Sequence, residues 1–343
     1  MHLRFYPYTL ELAHPFTLAT SSRTTTPALM VELEHEGLIG YGEAAMPPYL
    51  GETPASAAAF LKLVDPATFP DLQQIAAISA QVEALAPGNP AAKAALDLAL
   101  HDWVGKKLHT SWHRHWGLDL ARIPATSFTI GIDTPAVVRQ KTLAAAPYKI
   151  LKVKLGRDTD RELITTIRQV TDKPLTVDAN QGWRDREDAL RMSEWLATQG
   201  VLFIEQPMPK EQIDDTAWLR ERSPLPLIAD ESVQRLIDVP AARGVFDGIN
   251  IKLMKCTGLH EAHQMITLAR QLNLKVMLGC MTETSCAISA AAQLSPLADW
   301  ADLDGALLIK NDLFTGAQLV DGKIIPTDGP GLGLTKHGAP VSR

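Results

Sequence analysis

Three acidic residues stand at the ends of three successive apolar runs, and this spacing points to a metal site. Asp178 ends the run LTVD, Glu205 ends VLFIE, and Asp230 directly follows LPLIA. If these runs are neighbouring parallel strands, which lie about 4.8 Å apart, the three carboxylates can converge on one point. Like charges that close repel one another unless a cation lies between them. Because every ligand offers oxygen, the pattern predicts Mg²⁺; three separate acids, each capping a following helix, are the less favoured alternative.

Three lysines complete a set of groups that could move a proton. Lys152 and Lys154 are two residues apart in ILKVKL, so both point to the same side of a strand, and Lys252 ends a later apolar run, NIKL. Amines on opposite sides of a metal-bound substrate could remove a proton from one face and return it to the other. Nearby ammonium groups and partial burial are expected to lower the pKa of such a lysine toward the range that a base needs. The alternatives are salt bridges to the acids and a Schiff-base lysine, which needs no metal and fits the acidic cluster poorly.

A second acidic pair ends the last apolar run of this series, in the sequence ADLDG. Asp302 and Asp304 are two residues apart, so they share one side of the strand and present paired negative charge. This arrangement suits a cationic group on the substrate. The simpler alternative is that Asp304 and Gly305 only form a turn.

Four loop residues are weaker candidates for the wall of a pocket. Arg23 lies in a polar segment, SSRTTT, and Tyr49 lies in PPYLGE, where either could belong to a lid. Met281 and Glu283, in GCMTETS, follow the seventh apolar run and could line the same pocket. A solvent-exposed loop position is the favoured alternative for Arg23, Met281 and Glu283.

The elements that must position these residues repeat one rhythm, an apolar run followed by a helical stretch, which is typical of βα units. The runs are Thr126–Ile132, Ile150–Leu155, Leu175–Val177, Val201–Ile204, Leu225–Ala229, Ile249–Leu253, Val276–Leu278 and Trp300–Leu303. Polar residues near their ends are separated by 22 to 28 residues, enough for one strand and one helix. Eight such units without a Gly-rich dinucleotide turn favour a closed barrel over an open sheet. Barrel active sites lie at the carboxyl ends of the strands, where the candidate residues fall.

The rest of the chain predicts a second unit. Residues 30–34 and 37–42 are typical of a hairpin, and Ala-rich helices follow, one starting at Pro90 with Asn89 as its cap and running to about Lys107. We therefore predict an α+β capping domain over residues 1–120 and a barrel over residues 121–313. The tail, residues 314–343, contains one more hairpin pattern and is expected to pack back on the capping domain.

Composition and charge exclude several classes of function. The net charge of −6 and the lack of a basic block argue against a nucleic-acid partner. No apolar run approaches the 18 residues of a membrane span, and the N-terminus lacks the pattern of a secretory signal, so we expect a cytoplasmic protein. The three cysteines are too few for a disulfide framework.

Taken together, these motifs resemble the enolase superfamily, specifically its muconate lactonizing enzyme-like subgroup. Lys152-Val153-Lys154 resembles the KxK motif of the family, the three acids match its magnesium ligands, and Lys252 matches the lysine on the opposite side. The segment AKAALDLALHDWVGK, residues 92–106, resembles its N-terminal helix signature. The resemblance covers nearly the whole chain and implies an α+β capping domain over a (β/α)₇β barrel.

Within this subgroup, the Asp302-Leu303-Asp304 pattern resembles that of the dipeptide epimerases, in which the aspartates hold the α-ammonium of an N-terminal amino acid. The resemblance implies Mg²⁺-dependent inversion of the second residue of a dipeptide, with Lys154 and Lys252 as the two bases and an enediolate between them. L-Ala-D/L-Glu or a related L-Ala-Xaa dipeptide is the expected substrate, with Arg23 as partner for the glutamate side chain, and murein peptide metabolism is the setting that the family implies.

Two other functions stay open at this point. An N-acylamino acid racemase or o-succinylbenzoate synthase of the same superfamily binds no ammonium group and would not need the aspartate pair. A non-catalytic barrel that captures a small molecule is the alternative of another class, and intact lysines on both sides argue against it. The sequence leaves the preferred dipeptide and the oligomeric state undecided, a homo-oligomer being possible.

Overall fold

The computed structural model describes residues 1–17, 22–47, 50–156 and 158–337. The N-terminal segment forms an antiparallel sheet in the order β1-β2-β3, built from β1 (His2–Thr17), β2 (Ser22–His35) and β3 (Leu38–Ala45). The predicted hairpin is the β2–β3 pair, which turns through Glu36 and Gly37, both at positive φ. The first strand was not predicted. It lies at the edge of the sheet, which is where a strand tolerates a proline such as Pro7.

Four helices follow the sheet: α1 (Pro54–Leu61), α2 (Ile75–Leu85), α3 (Pro90–Lys107) and α4 (Trp112–His115). Helix α3 has the predicted bounds, but the predicted cap is wrong. Asn89 takes a left-handed conformation, with φ of 54°, and its side chain makes no capping hydrogen bond. The carboxylate of Glu52 accepts from the N–H groups of Ala91 (2.8 Å) and Ala92 (3.3 Å) instead.

Eight parallel strands follow in strict sequential order and form a nearly closed barrel, which confirms the predicted fold class. They are β4 (Ser127–Ile130), β5 (Ile150–Lys154), β6 (Leu175–Asp178), β7 (Val201–Glu205), β8 (Leu227–Ala229), β9 (Gly248–Lys252), β10 (Lys275–Gly279) and β11 (Trp300–Asp302). Between the two end strands, Thr126 bridges Ala301, and the hydroxyl of Ser127 donates to the carbonyl of Ala301 at 3.5 Å. The strand residues are largely buried because helices cover the outer face and side chains fill the interior.

In the described part of the chain, six helices connect the barrel strands: α5 (Pro135–Ala144), α6 (Asp160–Arg168), α7 (Arg186–Thr198), α8 (Ile213–Arg220), α9 (Leu259–Gln271) and α10 (Ser285–Leu294). The connection from β8 to β9 differs from the predicted rhythm, because a 3₁₀ stretch, Leu236–Ala242, replaces the α-helix. Pro240 lies inside this stretch and cannot donate a helical hydrogen bond.

The C-terminal tail forms two small antiparallel pairs, β12 (Phe314–Thr315) with β15 (Thr335–Lys336) and β13 (Gln318–Val320) with β14 (Lys323–Ile325). The tail contacts the N-terminal segment, since the Asp102 carboxylate accepts from the N–H of Leu332 at 2.9 Å and Lys336 pairs with Glu32. The domain boundaries near residues 120 and 313 stay predictions. In the described part of the chain, no helix is both long enough and apolar enough to cross a membrane.

Candidate active site

Strand register brings the candidate residues to the carboxyl-terminal end of the barrel. Lys154 pairs with Asp178 across β5 and β6, and Asp178 pairs with Glu205 across β6 and β7. On the other side, Gly279 of β10 pairs with both Lys252 of β9 and Asp302 of β11. Residues far apart in the sequence therefore end at one level of the barrel.

The three predicted metal ligands form one cluster. One carboxylate oxygen from each of Asp178, Glu205 and Asp230 lies within 4.8 Å of the others, and all three side chains are buried. Among the described residues, the Oε2 atom of Glu205 accepts no hydrogen bond, and its ion pair with Lys152 Nζ, at 2.6 Å, is its close polar contact. A buried set of hard oxygen donors with an atom that lacks a hydrogen bond fits Mg²⁺, which accepts carboxylate ligands and keeps further positions for water and substrate.

The three lysines surround this cluster. Lys152 Nζ lies 3.2 Å from Asp178 and 2.8 Å from Asp302, and Lys154 Nζ lies 2.6 Å from Asp178. Lys252 Nζ lies 2.8 Å from Asp230. Strands β5 and β9 are four positions apart in a barrel of eight, so Lys154 and Lys252 face the cluster from opposite sides.

The ionisable side chains in the cluster shift one another's pKa. Burial alone would lower the pKa of Lys152, but Asp302, Glu205 and Asp178 outweigh burial and raise it well above its ordinary value. Three carboxylates therefore keep the Lys152 ammonium charged beside the cluster. Burial opposes ionisation of Asp230, yet Lys252 and Lys255 hold its pKa well below the usual range.

Sequence reasoning missed several residues that hold the acids in place. Lys255 Nζ donates to the carboxylate of Asp230 at 2.5 Å and to its carbonyl at 2.7 Å. Asn250 Nδ2 donates to Glu205 at 2.8 Å, and the Gln206 side-chain oxygen accepts from the N–H of Asp230 at 3.0 Å. The only available signal was the unusual number of polar residues beside these strand ends, because each contact joins elements distant in sequence.

The two aspartates of the second acidic pair, Asp302 and Asp304, have different hydrogen-bond partners. Asp302 accepts from the Ser127 hydroxyl at 2.7 Å and pairs with Lys152, whereas Asp304 accepts from the backbone N–H of Thr129 at 2.8 Å. Both aspartates are buried. Asp304 forms no ion pair with any residue that the structure describes, and burial together with Asp302 raises its pKa to about 7. A buried carboxylate of this kind is stabilised by a cation.

The loop candidates separate into three cases. Arg23 reaches the barrel, where its Nη2 donates to the Thr282 hydroxyl at 3.4 Å. Met281 is buried, and its N–H donates to the carboxylate of Glu283 at 2.9 Å. Tyr49 lies outside the described residues.

Comparisons with known proteins agree with this geometry. Residues 4–117 match the family model for the mandelate racemase / muconate lactonizing enzyme N-terminal domain, and residues 136–338 match the enolase C-terminal domain-like model. The L-Ala-D/L-Glu epimerase of Bacteroides thetaiotaomicron is 60% identical over 98% of this chain and 88% of the relative.

Two solved structures share the whole fold. The dipeptide epimerase of Enterococcus faecalis, in complex with Mg and the dipeptide L-Leu-L-Tyr, superposes with a TM-score of 0.90 at 30% identity, over 98% of this chain and 99% of that chain. The N-succinyl Arg/Lys racemase of Bacillus cereus also gives a TM-score of 0.90, at 28% identity, over 98% of this chain and 95% of that chain. Overall shape therefore does not separate the two activities.

Proposed function

Because this chain belongs to the enolase superfamily and is an isomerase of the racemase and epimerase class, we propose that it is a Mg²⁺-dependent dipeptide epimerase. It inverts the α-carbon of the second residue, and L-Ala-D/L-Glu is its preferred dipeptide. The 60% identity to an L-Ala-D/L-Glu epimerase supports this assignment.

The chemistry follows from the residues around the acidic cluster. Asp178, Glu205 and Asp230 would hold Mg²⁺, which when bound supplies positive charge that stabilises a substrate carboxylate as the adjacent α-proton leaves. Lys154 and Lys252 then act as the two bases, one removing the α-proton and the other delivering a proton to the opposite face. Lys152, held by Asp302, adds a fixed positive charge beside them.

The observation that carries the choice of a dipeptide is the buried carboxylate of Asp304. It lies beside Asp302 and forms no ion pair among the described residues. The α-ammonium of a dipeptide supplies the cation that this carboxylate needs, whereas an N-acyl group carries no charge. Asp302 is already paired with Lys152, so Asp304 is the main partner for the ammonium.

Arg23 is the proposed partner for the γ-carboxylate of a glutamate in the second position. Its guanidinium reaches Thr282, in the loop directly after β10, from the N-terminal sheet. A guanidinium binds a carboxylate with two parallel hydrogen bonds. This cation favours L-Ala-Glu over dipeptides with an apolar second residue.

The variant Asp304→Asn tests the assignment against the racemase alternative. Asparagine keeps an oxygen for the N–H of Thr129 but removes the negative charge that binds an ammonium. We expect kcat/KM for L-Ala-L-Glu to fall about 100-fold or more, a loss of ~3 kcal/mol in transition-state stabilisation. Chiral chromatography of the reaction mixture measures the rate, with N-succinyl glutamate as the comparison substrate. An unchanged rate on the dipeptide would contradict this role of Asp304, and a wild-type enzyme that acts only on N-succinyl glutamate would favour the racemase.

A further inference from the structure

A buried carboxylate of the N-terminal sheet caps a helix of the barrel. Glu43 lies on β3 with 0% of its surface exposed. Its carboxylate accepts from the Thr284 N–H at 2.9 Å, the Thr284 hydroxyl at 2.5 Å and the Ala287 N–H at 3.3 Å. Thr284 directly precedes α10, so these N–H groups are among those that a helix start leaves unpaired. Two segments 241 residues apart are joined at this point.

The segment that Glu43 fixes lies against the candidate active site. We call residues 280–284 the β10–α10 loop. It leaves β10 at Gly279, which pairs with Lys252 on one side and Asp302 on the other. Gly305, next to Asp304, packs so tightly on the loop that a Cβ atom there would lie 2.3 Å from the carbonyl oxygen of Met281. The loop therefore touches the strand end that carries the proposed ammonium site.

The same loop touches the proposed specificity residue. Arg23 Nη2 donates to the hydroxyl of Thr282, two residues before the one that Glu43 holds. Glu283, between them, turns back to accept from the N–H of Met281 at 2.9 Å and is buried. A shift of the loop at Thr284 would therefore also move Thr282, whose hydroxyl accepts the hydrogen bond from the Arg23 guanidinium.

From these contacts we propose that Glu43 is a positioning residue for substrate selection, which fixes the β10–α10 loop through Thr284 so that Arg23 is held ready for an acidic second residue. The described hydrogen bonds of Glu43 join it to Thr284 and Ala287, and none of them joins it to the three lysines or to the three acids of the cluster. The inference rests on the proposed function, since it concerns which dipeptide the enzyme prefers.

Asp97 provides a matched control within the same chain. This buried acid of α3 caps the neighbouring barrel helix, because its Oδ2 accepts from the N–H groups of Leu259 (2.6 Å) and His260 (3.4 Å) at the start of α9. Gly258, the residue at the helix start, has no side chain that could do so. Both acids accept from N–H groups at the start of a barrel helix, although Asp97 also lies 3.2 Å from His101 Nδ1. The loop before α9 has no described hydrogen bond to Arg23.

The test measures the ratio of kcat/KM for L-Ala-L-Glu to that for L-Ala-L-Leu, because a ratio within one preparation is independent of the fraction of folded enzyme. In Glu43→Gln, the side-chain NH₂ group is a donor and cannot accept from the N–H groups of Thr284 and Ala287. Only one side-chain oxygen is left to accept hydrogen bonds from them. We expect the ratio to fall about tenfold, the same direction as in Arg23→Met. Thr284→Val should lower the ratio similarly, Thr284→Ser should retain it, and Glu43→Gln combined with Thr284→Val should lower it no further.

The control separates positioning from general destabilisation. Asp97→Asn should affect both dipeptides equally and leave the ratio within about twofold of wild type. An active wild-type enzyme whose ratio is unchanged in both Glu43→Gln and Thr284→Val overturns the inference, as does an equal shift in Asp97→Asn. If the wild-type enzyme epimerises no dipeptide at all, the proposed function fails and this inference fails with it, which is a distinguishable result.

Discussion

At the scale of single residues, the proposed reaction depends on two lysines that face one acidic cluster from opposite sides. Lys154 lies 2.6 Å from Asp178, and Lys252 lies 2.8 Å from Asp230. If each lysine serves one face of the α-carbon, removing one of them blocks inversion but leaves the other able to exchange a proton with one epimer.

The variants Lys154→Ala and Lys252→Ala test whether each lysine serves one face of the α-carbon. We expect each to lose epimerisation by roughly 10²- to 10⁴-fold, the usual contribution of a positioned acid or base. In D₂O, however, one variant should still exchange the α-proton of L-Ala-L-Glu, and the other that of L-Ala-D-Glu, as NMR would show. Lys62→Ala, at an exposed lysine, is the control. Loss of exchange with the same epimer in both variants contradicts a two-base mechanism.

The residues also show what sequence reasoning can reach. The three metal-site acids were predicted because each follows its apolar run at the same position, and Lys152 and Lys154 because they are two residues apart on one strand. The structure places these residues together, and their roles stay predictions. Lys255 and Glu43 were missed because their partners lie on other elements.

At the scale of elements, the barrel strands and α3 were predictable from local pattern, while their mutual packing was not. Continuous apolar runs and a proline at a helix start are local signals. The cap of α3 comes from Glu52, in a preceding loop, and the caps of α9 and α10 include acids of α3 and β3. Such contacts depend on how elements approach one another, which no local pattern records.

The approach of α3 to β3 is close enough to test. A Cβ atom on Gly42 would lie 1.8 Å from the carbonyl oxygen of Ala95, and backbone cannot move aside as a flexible side chain does. We expect Gly42→Ala to lower the free energy of unfolding by about 1 to 3 kcal/mol, as overpacking does. Urea titration measures this, with Gly329→Ala as control, because its Cβ would meet its nearest atom at 3.3 Å. Equal stability of Gly42→Ala and wild type would mean that the helix and sheet are not packed this closely.

At the scale of the whole molecule, buried acids between the N-terminal sheet and the barrel make stability depend on pH. Burial raises the pKa of Glu43 to about 7 and, together with the charge of Glu43, that of Glu283 to about 8. Both values exceed the ordinary glutamate value of 4.5, so these two groups bind more protons in the folded protein than in the unfolded chain between pH 4.5 and 8. Stability from these groups is therefore fully present at low pH and is lost as the pH rises through their folded pKa values.

The variant Glu283→Gln isolates one of these groups. Between pH 6 and pH 9, the free energy of unfolding should fall by about 2 to 3 kcal/mol more for wild type than for the variant. Glu283 releases a proton in this range, whereas glutamine has none to release. Urea titrations at the two pH values measure the difference. Glu194→Gln, the same change at an exposed position, should follow wild type. A Glu283→Gln variant that loses as much stability as wild type would show that Glu283 does not titrate in this range.

Mass spectrometry of a mixed L,L-dipeptide library, and of N-succinyl amino acids, each incubated with the wild-type enzyme and Mg²⁺ in D₂O, tests whether this protein epimerises dipeptides. Inversion through removal and return of the α-proton installs one solvent deuteron at Cα, so each substrate gains about one mass unit. We expect this gain for dipeptides, with Ala-Glu leading, and not for N-succinyl amino acids. Deuterium incorporation into N-succinyl amino acids with none into any dipeptide would contradict this expectation.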